Sequence, residues 1–184
     1  MSSTDVTVRV FIKDYLITKI GEIKDTQPYF AFVLMAIGIE FLGKCQNEHD
    51  WDDYKLIQPR VNFNNGLNLA PLKKYANLDL YDKLRNGLAH ALLIKQGINV
   101  SEGDCANALN SNTFYSDFEA ACNLALNAKD DGSGKIMTAD GIEIKKNLDA
   151  TFFTIEDGVN QDGEFYSLTA TTINNLVKPT NNQQ

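Results

Sequence analysis

Between Asp25 and Lys44 the chain carries one charged side chain, Glu40, within the run PYFAFVLMAIGIEFLG. A helix with apolar residues on nearly every side belongs inside a bundle. This stretch therefore predicts a mainly α fold, packed around a helix from about Gln27 to Cys45. Pro28 falls in its first turn, where the missing N–H would lack a partner anyway. The most hydrophobic part, Tyr29 to Leu42, is shorter than a bilayer requires and contains Glu40, so it reads as a core helix. A lone carboxylate there needs a partner, because desolvating it alone is costly. Snorkelling, a local hydrogen bond, a Lys or Tyr, and a polar group on another helix are all open to it.

The remaining elements follow from spacing. Asp5 to about Glu22 carries Val6, Val10, Ile17 and Ile20 near helical intervals, with Ser3, Thr4 or Asp5 as N-cap, although Val6, Val8 and Val10 also alternate as a strand would. Gln46 to Asn68 is polar and contains Pro59 and the Asn-Asn-Gly run at 64–66, which predicts a long loop or a broken helix. A short helix is expected from near Pro71 to Leu78, and Ile98 and Val100 give a short strand or extended exit. In the next helix, capped by Asn112 or Thr113, Phe114, Phe118, Ala121, Cys122 and Ala125 repeat at i, i+4, i+7, i+8 and i+11. Beyond Lys135, IMTADGIEI and the TFFTI and EFYSLT runs read as one or two β-hairpins. The expected organisation is a bundle of four to five antiparallel helices over 1–130, and a β-rich appendage with a frayed tail over 131–184.

One further stretch, Leu78–Leu93 (LDLYDKLRNGLAHALL), combines a core-facing side with a polar one. At about 100° per residue, Leu80, Tyr81, Leu84, Leu88, Ala91 and Leu92 form an apolar stripe. Asp82, Lys83, Arg85, Asn86 and His90 lie opposite, with the small Ala89 between Arg85 and Asn86. Asn86 and His90 are i,i+4 and share a line, whereas Arg85 and His90 project about 140° apart. Left to spacing alone, these residues form a solvated helix face or a dimer contact.

The sequence Arg85-Asn86-Gly87-Leu88-Ala89-His90, in a leucine-rich helix and preceded by the apolar IGIEFLG helix with its lone glutamate, resembles the HEPN family of small helical domains. The resemblance runs from about Asp5 to Ala128. It implies a HEPN-like antiparallel bundle and a metal-independent ribonuclease, in which the ribose 2′-hydroxyl attacks the adjacent phosphate to leave a 2′,3′-cyclic phosphate and a 5′-hydroxyl. Residue by residue, it makes Arg85 the phosphate clamp, His90 the proton-transfer group, Asn86 its polar companion and Glu40 a supporting residue that orients Arg85 or His90. These residue types suit such work: a guanidinium binds phosphate bidentately and keeps its charge, and an imidazole titrates near neutrality. A symmetric homodimer through Leu78–Leu93 is expected, since two helices across a twofold bring Arg85 and His90 from each side to one cleft.

Composition limits the alternatives. The net charge of −7 and pI near 4.8 argue against a broadly basic nucleic-acid surface, though not against a local cationic site. That charge keeps a second reading in view, a non-catalytic dimeric interaction module with the same fold. Cys45, Cys105 and Cys122 are odd in number and widely spaced, so free thiols and a cytoplasmic location are expected. The first residues, MSSTDVTVRV, lack the pattern of a signal peptide. Cys45, His49 and Asp53 have helical spacing but lack a fourth strong ligand, so no metal site is assigned. Asp130-Asp131-Gly132 and Asp157 to Gly163 read as turns rather than calcium loops. There is no phosphate loop, dinucleotide fingerprint or nucleophile elbow. No cofactor is expected; the expected partners are RNA, a second copy of the chain and, for a toxin or defence effector, an antitoxin protein.

Overall fold

The computed structural model describes residues 3–51, 58–86, 99–101, 108–160 and 163–170. Over these residues the chain is mainly helical with a few short strands. Strand β1 (Ser3–Thr7) leads directly into a helical run, α1, made of Val8–Val10, π-type turns over Phe11–Lys19, and Ile20–Ile23. Thr7 makes the switch: its extended backbone ends the strand, and its hydroxyl accepts from Val10 N at 3.2 Å, an N-cap two residues past the Ser3–Asp5 region where the sequence placed one. Both sequence patterns at the start are therefore used in turn. Val6 is buried from the strand, and Val8, Ile12, Leu16 and Ile20 are buried from the helix, displacing Val10 and Ile17 from the positions expected for them.

The apolar helix is α2 (Pro28–Lys44), with Pro28 in its first turn. Ala31, Phe32, Met35, Ala36, Ile39 and Leu42 are all at most 1% exposed and face the core. Enclosure is not complete, however: Phe30, Leu34 and Ile37, one helical face at i, i+4 and i+7, are 53%, 39% and 47% exposed. Helix α4 (Ser111–Leu126) supplies the other half of the core. Its Phe114, Phe118, Ala121, Cys122 and Ala125 are fully buried, as their spacing predicts, and Phe114 stacks on Phe32 at 5.5 Å. Its N-cap is Asn110, whose side-chain oxygen accepts from Thr113 N at 2.9 Å.

The polar segment expected as a loop holds a regular helix, α3 (Pro59–Leu67). Pro59 starts it instead of breaking it. Gly66, read in sequence as a turn residue, lies against the backbone of α2: a Cβ added there would overlap the Ile39 carbonyl oxygen, and one added at Gly43 would overlap the Asn62 carbonyl oxygen. The two glycines let α2 and α3 cross at backbone contact, so the Asn-Asn-Gly run serves packing. A 3-10 segment, Ala70–Leu78, follows, and Asp79 in the left-handed region (φ 50°) turns the chain into the motif stretch.

The remaining strands are β2 (Asn99–Ser101), β3 (Ala108–Asn110), β4 (Lys129–Asp130), β5 (Ile136–Met137), β6 (Thr151–Asn160) and β7 (Gly163–Ala170). β6 and β7 pair antiparallel with Asn160 opposite Gly163, and β1 pairs on the other edge of β6 with Val6 opposite Phe153. The sheet order is thus β1-β6-β7, joining the first strand of the chain to the expected C-terminal hairpin. An aromatic group ties this sheet to the helices: Phe152 lies 5.2 Å from Phe11, 5.2 Å from Phe41 and 4.9 Å from Trp51, ring centre to ring centre. Ile144 and Leu148 are also buried with the helical core. Asp130 and Asp131 form turns, with Asp130 Oδ1 accepting from Gly132 N at 2.7 Å and Asp131 Oδ1 from Ser133 N at 2.8 Å.

Cys45 and Cys122 are free, buried thiols, and Cys105 lies outside the described residues. Burial pushes the Cys45 thiol up to about 12, the nearby Lys146 ammonium opposing it, and burial likewise raises Cys122 well above its ordinary value. Since the thiolate is the reactive form, maleimide at pH 8 should label neither residue in the folded protein and both in urea, as peptide mass mapping would report. Labelling of Cys45 in the native state at the unfolded rate would contradict this packing.

Candidate functional site

The motif stretch leaves Asp79, buries Leu80 and Leu84 at 1% and 0% exposure, and continues as a π-type turn over Tyr81–Asn86. The inward side is the one the wheel predicts as far as it can be followed. Gly87 to Ile98 lie outside the described residues, and so therefore do His90, Ala89, Leu88, Ala91 and Leu92; for Asn86 only the backbone is described.

With its leucines inward, the turn projects Arg85 toward α2. Its Nε donates to Glu40 Oε2 at 2.5 Å, with the two side chains 20% and 19% exposed. The carboxylate within the apolar run of α2 therefore has the motif arginine as its partner, 45 positions later in sequence. For a pair this dry, the mutual attraction offsets a desolvation that either ion alone would bear in full. The contact uses Nε and one carboxylate oxygen, which fixes the plane of the guanidinium and leaves its terminal nitrogens for other acceptors.

Arg85 is also held by a ring. Its guanidinium carbon lies 5.7 Å from the centre of Tyr81, four residues earlier on the same turn, and that of Arg60 on α3 lies 5.1 Å from it. Phe63, fully buried on α3, meets the same ring edge-on at 5.7 Å and so fixes its position. Arg60 Nη2 in turn donates to Asp82 Oδ2.

Beside the Arg85–Glu40 pair is a cleft of about 170 Å³ lined by Ile37, Glu40, Phe41, Lys44, Trp51 and Arg85. That volume is below the range of about 300–1,000 Å³ usual for whole small-molecule ligands, so it admits a chemical group and not a complete ligand. Lys44 reaches it with Nζ donating to the Trp51 carbonyl at 2.9 Å. Behind Trp51, Lys146 is 1% exposed, with its ammonium 5.4 Å from the indole centre and donating to the His49 carbonyl. Burial pushes Lys146 below its ordinary value, with Asp50 acting against that shift. The two lysines, by binding carbonyls of the segment from Cys45 to Trp51, fold it against the cleft.

Of the spaced trio, Cys45 is buried, His49 is exposed and its carbonyl accepts from Lys146, and Asp53 lies outside the described residues. No cluster of three or more potential metal ligands occurs among the described residues. A larger groove of about 610 Å³ lies elsewhere, between the 3-10 segment, α4 and the turn at Asp140. Size would favour it, yet its one ionisable lining residue is already engaged: Asp140 Oδ2 accepts from Ala70 N at 2.6 Å and Oδ1 from the Thr138 hydroxyl. The chemistry-bearing groups are at Arg85.

Comparison with protein-family models, with curated proteins and with solved structures finds no match. Among the described residues no helix is long and apolar enough to cross a membrane. Sequence reasoning named Arg85 and Glu40 but missed Arg60 and Tyr81. On the wheel Tyr81 belongs to the apolar stripe, and Arg60 falls in the segment whose composition predicts a loop.

Proposed function

We propose that the chain is a metal-independent endoribonuclease of the HEPN type, with a HEPN-like helical bundle and a role as a toxin or defence effector. The observation that supports it is the Glu40–Arg85 contact. A carboxylate in the most apolar helix holds the arginine of the Arg-Asn-x3-His motif beside a cleft that both residues line. Arg85 would bind the scissile phosphate through its terminal nitrogens, Glu40 would keep the guanidinium plane in register, and His90 would move a proton, with Asn86 beside it. The 2′-oxygen would attack phosphorus, its proton passing to a base, and the departing 5′-oxygen would receive a proton. A symmetric homodimer, with the motif helices near its axis, would bring two such sets together, and an antitoxin would restrain them.

A second reading, the non-catalytic interaction module, is favoured by one observation: Phe30, Leu34 and Ile37 present an exposed apolar stripe on α2, next to Glu40. The two readings separate in one experiment. Purified protein incubated with mixed RNA in EDTA should give fragments ending in 2′,3′-cyclic phosphate, and Arg85→Ala should not. Intact RNA across varied substrates would overturn the nuclease reading in favour of the module.

A further inference from the structure

Arg60 is an odd choice where it stands. It occupies the first turn of α3, a position where the helix dipole favours an anion and disfavours a cation; that turn has no acidic residue and Gln58 makes no side-chain cap. Proteins set local preference aside at functional or strained sites and compensate for it elsewhere. Arg60 is also the outer member of a pair. Its side chain is 54% exposed against 20% for Arg85, yet both guanidiniums lie over the single ring of Tyr81, which Phe63 holds from its edge. Two like charges sharing one ring repel, and the structure offsets each with one carboxylate, Asp82 for Arg60 and Glu40 for Arg85. Asp82 is itself 37% exposed, so it is a partner that a better anion can displace; Glu40, 19% exposed within the cleft, is not.

We propose that Arg60 is a second phosphate-binding residue of the Arg85 site, and that the two guanidiniums, gathered at the ring of Tyr81, hold neighbouring phosphates of a single-stranded RNA. The inference rests on the ribonuclease reading and adds to it the path of the substrate, out of the cleft and across Tyr81 toward the N-terminus of α3. Cations that follow a strand's backbone phosphates are the electrostatic element of a sequence-tolerant single-strand groove. Asp82 occupies the outer position when no RNA is bound.

The test uses the full-length protein and a short 2′-O-methyl oligouridine, which cannot be cleaved because its 2′-oxygen is blocked. Affinity is measured over a range of salt. Each phosphate contact contributes about 0.7 to the slope of log K against log salt for single strands. Arg60→Gln should lower the slope by about that amount and weaken binding at low salt. Lys13→Gln, an equal charge change on exposed α1, should leave the slope as in wild type. Asp82→Asn separates binding from structure. It breaks the same ion pair as Arg60→Gln but frees the arginine, so RNA binding should tighten, while a purely structural tie would make the two variants weaken together. Both should melt near the wild-type temperature, because an exposed pair contributes little to stability. A wild-type slope in Arg60→Gln, or weaker binding in Asp82→Asn, overturns the inference. If that happens while Arg85→Ala still loses binding, the ribonuclease reading survives; if wild type does not bind the oligonucleotide, both fall.

Discussion

Gly43→Ala should melt about 6–12 °C or more below wild type, and Gly66→Ala should come close to it. At each position the new Cβ would sit inside a backbone carbonyl oxygen, Asn62 O from Gly43 and Ile39 O from Gly66, and backbone cannot swing aside as a side-chain tip can. The only relief is to separate α2 from α3. Overpacking a core costs about 1–3 kcal/mol when side chains can yield and more when they cannot, against a total stability of about 5–15 kcal/mol. A loss of about 3 kcal/mol or more is expected, which for a chain of this size lowers the melting temperature by about 6–12 °C. Gly141→Ala makes a useful control. Gly141 has φ +83° with nothing within 4 Å of the added atom, so it carries backbone strain without a clash, at about 1–2 kcal/mol. Thermal melts followed by circular dichroism should rank Gly43→Ala well below Gly141→Ala. A smaller shift at Gly43 than at Gly141 would mean that the two helices do not cross at backbone contact.

The same crossing marks the limit of what the sequence made legible. Helices α2 and α4 could be read from spacing because their faces are long and apolar, and Phe114 to Ala125 fell into the core where the period put them. Helix α3 could not. Its sequence, PRVNFNNGL, has the composition of a loop, and what makes it a helix is the close fit of Gly66 against α2; a tertiary contact overrides local propensity. Likewise, no local pattern indicates that Ser3–Thr7 will pair with Thr151–Asn160, nearly the whole chain away. For the site, the lone charge of Glu40 was the readable signal, since an isolated carboxylate in an apolar run needs a partner, although spacing left that partner open. Arg60 gave no such signal, because its role depends on the two elements, α3 and the Tyr81–Asn86 turn, that bring it to the ring of Tyr81.

Arg85→Ala should lower RNA cleavage by about a hundredfold to a thousandfold, the usual loss when one preorganised electrostatic group is taken from a site where charge grows on phosphate oxygens. His90→Ala should do the same if the motif acts as a unit. Arg85→Lys should also be poor, because an ammonium is a point charge and cannot offer the flat two-toothed face that Glu40 orients. Glu40 is where the geometry makes the sharper demand. It accepts from Nε of Arg85 and, in the proposed site, would act on the phosphate only through that arginine, so Glu40→Gln, which keeps an acceptor but loses the charge, should lower the rate by less than Arg85→Ala does. Its whole effect should pass through Arg85: in the Arg85→Ala background, Glu40→Gln should change the rate no further, the signature of two residues acting as one. Arg85→Ala also leaves Glu40 unpaired and four-fifths buried, so the variant's circular dichroism has to be compared with wild type at the assay temperature before the rate is interpreted. Additive losses from the two substitutions would show that Glu40 acts elsewhere, and full activity in Arg85→Ala would assign any cleavage to another site.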